Sequence, residues 1–239
     1  MVKKLISKLV TKEDALAKLH SGQTMMIGDL LGLAAPDEII DGMIEKGVKD
    51  LTIIAITTGK PDEGCGKLIR AKAVKKAITS HIGTNPMTRE QMNAGTLEVE
   101  FVPQGTLAER IHCGGAGLGG CLTPTGIGTK VAEGKQMMEI NGKEYLLELP
   151  LHADVAIVKA WKADKYGNLT YRLNGMANNM QIALAADCVI AEVEELVDVG
   201  ELTPDAIDTP AVLVDMVYVR TGEKRPVPPS WQRMREKGG

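Results

Sequence analysis

The segment TMMIGDLLGLAAPDEIIDGMIEKGVKDLTIIAI, residues 24–56, decides the fold of this chain. Its first apolar run stops at Gly28, and a new pattern begins at Pro36, where Pro-Asp-Glu is typical of the first turn of a helix. The run DLTIIAI, residues 50–56, is rich in β-branched residues and is typical of a buried strand. The segment therefore predicts a strand, a shaped loop, a helix and a second strand.

The same alternation continues along the chain. Apolar, β-branched runs predict strands at residues 24–28, 50–56, 75–83, 97–105, 154–161, 188–196 and 214–220. Helical patterns lie between them, at residues 11–20, 36–47, 65–73, 88–95, 106–112 and 176–186. Such alternation predicts an α/β fold, a largely parallel sheet flanked by helices on both faces.

Two segments depart from this alternation. Residues 134–150 hold two runs joined by Asn141-Gly142, the preferred pair of a type I′ turn, and predict an antiparallel hairpin insertion. Residues 221–239 are basic and rich in proline, and predict an extended C-terminal arm in which Trp231 could anchor on a partner subunit. We therefore expect one domain, residues 1–220, followed by this arm.

Composition narrows the classes of function. The 239 residues are 44% hydrophobic and 25% charged, which is typical of a globular chain with a sizeable core. Aromatic residues make up only 3% and the net charge is -3, so nucleic-acid binding is not expected. No run approaches the roughly 18 apolar residues of a membrane span, and the first residues lack a signal-peptide pattern. We therefore expect a cytoplasmic protein that does not contact membranes.

Residue patterns for several kinds of catalysis are missing from the sequence. The cysteines show no C-x-x-C spacing and no histidine pairing of the zinc kind, so we expect reduced thiols and no metal. The four cysteines are Cys65, Cys113, Cys121 and Cys188. There is also no recognisable nucleophile elbow and no pair of carboxylates on a glycine-rich loop. A chain with binding loops but no obvious nucleophile suggests that it supplies only half of an active site.

The loop after the first predicted strand is the first candidate site. Loops that leave the carboxyl end of a parallel strand and enter a helix are where α/β folds bind ligands, often phosphates. The candidate binding residues are Gly28, Asp29, Leu30, Leu31, Gly32, Leu33 and Ala34. The negative charge of Asp29 argues against a phosphate directly on this loop. The alternative is a tight strand-to-helix turn without a ligand.

A second candidate is PQGTLAERIHCGGAGLGGCLTPTGIGT, residues 103–129. Seven glycines fall within the sixteen residues from Cys113 to Gly128. So many glycines carry an entropic cost, which predicts a loop whose backbone approaches a ligand or an interface. Exposed N–H groups of such a loop suit a thioester oxygen or a phosphate. A flexible linker is the alternative, although the interleaved leucine, threonine and proline do not resemble a Gly/Ser spacer.

Individual polar residues in this region have both chemical and structural interpretations. Gln104 is predicted to end a strand, and Glu109 is predicted to lie on a short helix. Glu109 could act as a base or nucleophile, or it could form a salt bridge or cap contact with Arg110 or a neighbouring chain. His112 and Cys113 suggest a thiol–imidazole pair, but neighbouring residues on a helix point in different directions.

The segment SHIGTNP, residues 80–86, follows another predicted strand. His81 could hydrogen-bond a substrate carboxylate, or it could satisfy the backbone of the loop that holds Asn85 and Pro86.

From residue 3 to residue 220 the chain resembles the A (alpha) subunit of bacterial two-subunit 3-oxoacid or short-chain acyl CoA-transferases, of the acetate/butyrate and acetoacetate type. The resemblance rests on five segments: SGQTMMIGDLLGLAAPDEIIDGM, KDLTIIA, SHIGTNP, VPQGTLAERIHCGGAGLGGCLTPTGIGT and YGNLTYR. It implies the α/β fold of that family and a partner B subunit, expected in an α2β2 tetramer. Coenzyme A and carboxylic acids are then substrates, with no cofactor.

The resemblance also implies a reaction and residue roles. In this family an acyl-CoA acylates a glutamate of the B subunit, CoA converts the anhydride to a glutamyl-CoA thioester, and an acceptor acid takes the CoA. Gln104 matches a family glutamine near the reacting carbonyl, and Glu109 becomes a supporting residue. The loop residues Gly114, Gly115 and Gly117 are expected to approach the reacting groups.

The first loop departs from the family signature at three positions. Asp29 and Ala34 replace glycines, and Leu30 replaces a phenylalanine. Asp29 is either a specificity determinant or a cap for the helix that begins near Pro36. The departures also raise an alternative function, a non-catalytic module that binds acyl-CoA or a carboxylate.

Overall fold

The computed structural model describes residues 6–222. Its strands are β1 (Thr24–Ile27), β2 (Leu51–Thr57), β3 (Val74–His81), β4 (Glu98–Phe101), β5 (Cys121–Thr123), β6 (Met137–Ile140), β7 (Lys143–Glu148), β8 (Ala153–Asp164), β9 (Leu169–Thr170), β10 (Ala186–Val197) and β11 (Met216–Val219). Its α-helices are α1 (Lys12–Leu16), α2 (Asp37–Glu45), α3 (Cys65–Arg70), α4 (Pro86–Asn93), α5 (Gln104–Ala116) and α6 (Asn179–Leu184). Short 3-10 turns lie at Lys130–Ala132, Leu173–Met176, Pro204–Ala206 and Ala211–Leu213.

The main sheet has the strand order β11-β10-β8-β1-β2-β3-β4, and all neighbours in this path are parallel. The short β9 pairs with the end of β8 in the antiparallel direction. Strands β1 to β4 follow one another toward one edge of the sheet, and strands β8, β10 and β11 follow one another toward the other edge. Strand order therefore reverses between β1 and β8, the position where open α/β sheets bind ligands.

Both faces of the sheet are buried. One core cluster packs α2 and α3 against Met25 and Ile27 of β1, and the other packs α5 and α6 against Met26 of the same strand. Consecutive side chains of a strand point to opposite faces, so an uninterrupted apolar run is what a strand covered on both sides requires. The predicted α/β fold with a largely parallel sheet is confirmed.

The predicted hairpin insertion is also confirmed. β6 and β7 are antiparallel, and the turn between them places Asn141 and Gly142 at φ angles of 51° and 74°. Both values are positive, as a type I′ turn requires. β5 adds a third antiparallel strand beside β7, which the sequence did not predict.

Two expectations about residues 97–128 are wrong. Gln104 does not end a strand, because β4 stops at Phe101 and Gln104 is the first residue of α5. The helix then continues to Ala116, so Gly114 and Gly115 are helical and do not belong to a loop.

The C-terminal arm is described only at its beginning. The backbone N–H groups of Thr221 and Gly222 donate to the Glu38 carboxylate on α2. Residues 223–239, including Trp231, lie outside the described residues. Within residues 6–222 no helix has the length and apolar character needed to cross a membrane.

Candidate functional site

The loop from Gly28 to Ala34 leaves β1 at the reversal of strand order. Ile27, the last residue of β1, is paired with Ile157, whereas β8 continues to Asp164. The β8 strand therefore extends beyond the loop and forms one side of it.

Asp29 is buried inside this loop, with 1% of its surface exposed. Its Oδ1 accepts a hydrogen bond from the Gly32 N–H at 2.6 Å, and its Oδ2 accepts one from the Cys65 N–H at 2.9 Å. Burial raises the pKa of the Asp29 carboxyl to about 6, although these two hydrogen bonds oppose the shift. Asp29 therefore ties the loop to the first turn of α3. The expectation that it caps the helix near Pro36 is wrong.

The two glycines of the loop make room for neighbouring side chains. A Cβ atom on Gly28 would overlap Oδ1 of Asn179, and one on Gly32 would overlap the side chain of Glu63. Gly32 also has a φ of 77°, which favours glycine. These glycines thus allow close packing from α6 and from the segment before α3. Direct contact of Gly28, Leu30, Leu31, Leu33 or Ala34 with a substrate stays a prediction.

The N-terminus of α2, which follows the loop, is filled by a carboxylate of this same chain. Glu192 on β10 is fully buried, and its Oε2 accepts hydrogen bonds from the N–H groups of Glu38 and Ile39 at 2.9 and 3.1 Å. Its Oε1 lies 3.2 Å from the ammonium nitrogen of Lys159. Burial raises the pKa of the Glu192 carboxyl. Because an internal anion holds these amides, a phosphate does not fit at the start of α2.

The sequence interpretation missed this buried ion pair. The available signal was a charged residue, Glu192, within a run predicted to be buried on both faces. Such a residue needs a partner, and Lys159 on the neighbouring strand is in register with it.

Gln104 lies at the same edge of the sheet as the loop, beyond β2 and β3. Its Oε1 is 2.8 Å from the Ser80 hydroxyl at the end of β3, and that hydroxyl is 2.7 Å from the Ile56 carbonyl oxygen. The Ser80 hydroxyl has one proton for these two acceptor oxygens, and when it donates that proton to Oε1 the Gln104 carboxamide is held through its oxygen. In that orientation the carboxamide nitrogen remains available to donate to an oxygen of a ligand.

The segment that follows β3 is held by structural contacts. Asn85 is buried; its oxygen accepts from the Met87 N–H, and its nitrogen donates to the Thr58 carbonyl. Pro86 is the first residue of α4, and His81 is exposed at the end of β3. Asn85 therefore shapes this loop, whereas His81 and Pro86 are exposed to solvent.

The glycines at the end of α5 have different surroundings. A Cβ atom on Gly114 would overlap the Leu151 carbonyl, and one on Gly115 would overlap Leu184 of α6. Gly117 ends the helix with a φ of 69° and has open space around it. Gly114 and Gly115 thus serve packing within the fold, and Gly117 is the glycine of this group that remains accessible.

Glu109 faces an open cleft beside α5. The cleft has a volume of about 480 Å³ and is lined by Gly105, Thr106, Glu109, Cys121, Leu122, Thr123 and Thr125. Nδ1 of His112 lies 3.2 Å from a Glu109 oxygen, and both side chains are exposed. Cys113 is buried, so His112 pairs with Glu109 and the thiol–imidazole pair is not supported.

Comparison with known proteins agrees with this architecture. Residues 10–220 match the family model described as Coenzyme A transferase. The chain is 49% identical over 218 residues, 91% of this chain and 99% of the relative, to the acetate CoA-transferase subunit alpha of Escherichia coli K12. It is 45% identical over 88% of this chain and 97% of the relative to the acetoacetyl-CoA:acetate/butyrate CoA transferase alpha subunit of Clostridium acetobutylicum.

Solved structures show the same fold at lower identity. An acyl-CoA transferase from E. coli O157:H7 superposes with a TM-score of 0.80 at 22% identity over 90% of this chain, which spans 50% of that longer chain. Glutaconate coenzyme A-transferase from Acidaminococcus fermentans gives a TM-score of 0.80 at 24% identity, covering 89% of this chain and 75% of that chain. The chain belongs to the coenzyme A transferase family, and its sequence relatives are alpha or A subunits of heteromeric enzymes.

Proposed function

We propose that this chain is the A subunit of a heteromeric CoA-transferase that moves CoA between a short-chain acyl-CoA or 3-oxoacyl-CoA and a carboxylic acid such as acetoacetate, butyrate or acetate. The nucleophile is a glutamate of the B subunit, and the assembly is an α2β2 tetramer. CoA is a substrate, and no further cofactor takes part.

One observation carries this proposal: at this edge of the sheet, residues 6–222 present a positioned carboxamide, whereas the carboxylates described there are hydrogen-bonded or buried. Within residues 6–222, the carboxylates of Asp29, Glu38 and Glu192 at this edge are all engaged by backbone N–H groups. Glu63 Oε2 has no hydrogen-bond partner, but it is buried behind Gly32 and lies 3.8 Å from the Lys60 ammonium. This arrangement supports the proposal that another chain supplies the carboxylate nucleophile.

The proposed reaction conserves the acyl group and CoA at each step. The partner glutamate attacks the thioester carbonyl, the C–S bond breaks, and CoA leaves as a thiolate. The thiolate then attacks the glutamyl carbonyl of the mixed anhydride and releases the first carboxylate. The second acid reverses these two steps. Donation from the Gln104 nitrogen would stabilise the oxyanion formed at each attack.

The test compares the chain alone, the B subunit alone and the two combined. Transfer from acetoacetyl-CoA to butyrate is followed by the absorbance of the 3-oxoacyl-CoA enolate. We expect activity only in the combined sample, and borohydride or hydroxylamine should trap the thioester on the B subunit. Turnover by the chain alone would contradict the proposal.

A Gln104→Ala variant in the same assay tests the role of the carboxamide. Loss of one oxyanion donor lowers kcat by about 10²–10³-fold in other enzymes, and we expect a loss of this order. Gln104→Glu is the matched control, because it keeps the size of the side chain but removes the donor. If Gln104→Glu retained full kcat, donation by this carboxamide would be excluded.

A further inference from the structure

The segment that carries α6 exposes apolar side chains that none of residues 6–222 covers. They are Leu173, Met176, Met180 and Leu184, which are 82%, 64%, 49% and 41% exposed. Leu173 and Met176 are one turn apart in the 3-10 helix, and Met180 and Leu184 are one turn apart in α6. These four residues are named the apolar stripe.

The composition around the stripe is that of an interface core. From Leu173 to Leu184 the sequence LNGMANNMQIAL contains no charged residue, in a chain that is 25% charged. Depletion of charge and enrichment in methionine distinguish the centre of protein interfaces from the remaining surface. Arg172 lies directly before this segment, and Glu139 lies directly after the exposed methionines of β6, Met137 and Met138.

The backbone of the stripe is also strained at an exposed position. Leu173 has a φ of 52°, a conformation that is uncommon for a branched side chain. Strain of this kind persists where the surroundings enforce it, and it concentrates at functional positions. Here it presents a leucine to solvent.

The stripe is anchored to the loop that follows β1. Asn179 occupies the space beside Gly28, and its side chain bonds the Lys159 N–H and the Gly175 carbonyl. Gly175 lies against Ala34, since a Cβ atom on Gly175 would stand 3.9 Å from the Ala34 Cβ. A chain seated on the stripe would therefore lie beside the β1 loop, where the proposed reaction lacks a carboxylate.

We propose that the apolar stripe is the docking surface for the B subunit. This inference rests on the proposed function, which requires a second chain at the β1 loop. The relatives of this chain are subunits of heteromeric enzymes, and the same fold forms half of a longer chain in the E. coli O157:H7 enzyme. The occupant is therefore a folded partner with an apolar, uncharged contact surface.

The first experiment measures the affinity of the purified chain for its B subunit by calorimetry. Because charges in an interface core lose their hydration, Met176→Glu/Met180→Glu should raise the Kd at least 100-fold. Val212→Glu is the matched control: Val212 is 85% exposed and lies on a different 3-10 turn, so a change below threefold is expected. Thermal unfolding of each free variant should match that of the parent chain, because the substituted side chains are exposed.

The second experiment needs no substitution. Met176 and Met180 of the unaltered chain are oxidised with dilute peroxide, alone and with the B subunit, and the rates are read by mass spectrometry. We expect at least tenfold protection of both methionines in the complex. Equal rates in the free and bound chain would overturn the proposal, as would an unchanged Kd for the double variant.

Other outcomes assign the stripe differently and also overturn the proposal. A free chain that is dimeric by light scattering, and that the double variant makes monomeric without weakening B-subunit binding, would assign the stripe to a second copy. Faster oxidation of Met176 and Met180 in the free chain after removal of residues 223–239 would assign it to the C-terminal segment. A complex that forms through the stripe but transfers no CoA would instead contradict the proposed function and leave the docking surface supported.

Discussion

Replacement of Asp29 by asparagine should change how the stability of this chain depends on pH. The carboxylate is 1% exposed, and burial raises its pKa from 3.8 to about 6. The folded chain therefore holds this proton more tightly than the unfolded chain does. It follows that the free energy of unfolding falls as pH rises from about 4 to about 6, and that this contribution is constant at higher pH.

The size of the effect follows from the two pKa values. A difference of about two units corresponds to about 3 kcal/mol in the free energy of unfolding, of which about 2 kcal/mol falls between pH 4 and pH 7. Asparagine does not titrate, so the variant lacks this loss. The asparagine keeps an oxygen for the Gly32 N–H but presents an NH₂ group to the Cys65 N–H. This mismatch lowers the free energy of unfolding of the variant by about 1–3 kcal/mol at every pH.

The assay is urea unfolding of the purified parent chain and of Asp29→Asn at several pH values from about 4 to about 7. Glu38 and Glu100, whose pKa values are lowered, contribute stability that is lost as pH falls, but they do so equally in both chains. The difference between the two profiles therefore isolates Asp29. We expect the parent to lose about 2 kcal/mol relative to the variant as pH rises. Profiles that stay parallel within about 0.5 kcal/mol would refute the reasoning.

Two further substitutions test the packing beneath the site by urea unfolding at neutral pH. Gly28→Ala should lower the free energy of unfolding by about 2–5 kcal/mol, because the added methyl displaces the Asn179 carboxamide from two buried hydrogen bonds. The control is Gly105→Ala, at a helical position with open space around it, which should leave the free energy of unfolding unchanged or raise it by up to about 1 kcal/mol. A similar loss of stability in the Gly28 and Gly105 variants would contradict this explanation. Glu192→Gln should lower the free energy of unfolding by about 3–5 kcal/mol, because it leaves the Lys159 ammonium buried without its anion. A loss below about 1 kcal/mol would show that the fold does not need this ion pair.

The sequence predicted the elements of this fold because their signals are local. β1 and β2 are short apolar runs, and the Asn141-Gly142 turn needs only two residues with positive φ. Their order along the chain then restricts the topology, since parallel strands need helical crossovers. The main strands and helices were therefore predicted correctly, whereas the third strand of the small sheet was not.

The contacts of the site could not be predicted in the same way, because each joins distant parts of the chain. Asp29 bonds the N–H of Cys65, and Glu192 bonds the N–H of Glu38, which no local pattern reveals. Gly114 was expected in a loop because glycine is common there, yet its role is to let α5 approach the Leu151 carbonyl. Glycine indicates that space is needed, but only the fold shows which group occupies it.

The engaged carboxylates explain how the edge of the sheet can suit the proposed reaction. The proposed reaction requires that one carboxylate attacks a thioester while other acids in the site do not. Here Asp29 and Glu192 each accept two backbone hydrogen bonds, and Glu38 accepts from the Tyr218 hydroxyl and from the N–H groups of Thr221 and Gly222. Oxygens that are hydrogen-bonded in this way are stabilised as acceptors and fixed in place, which makes them weak nucleophiles. In the proposed reaction, the carboxylates that fix the β1 loop and the start of α2 therefore do not compete with the carboxylate of the partner chain.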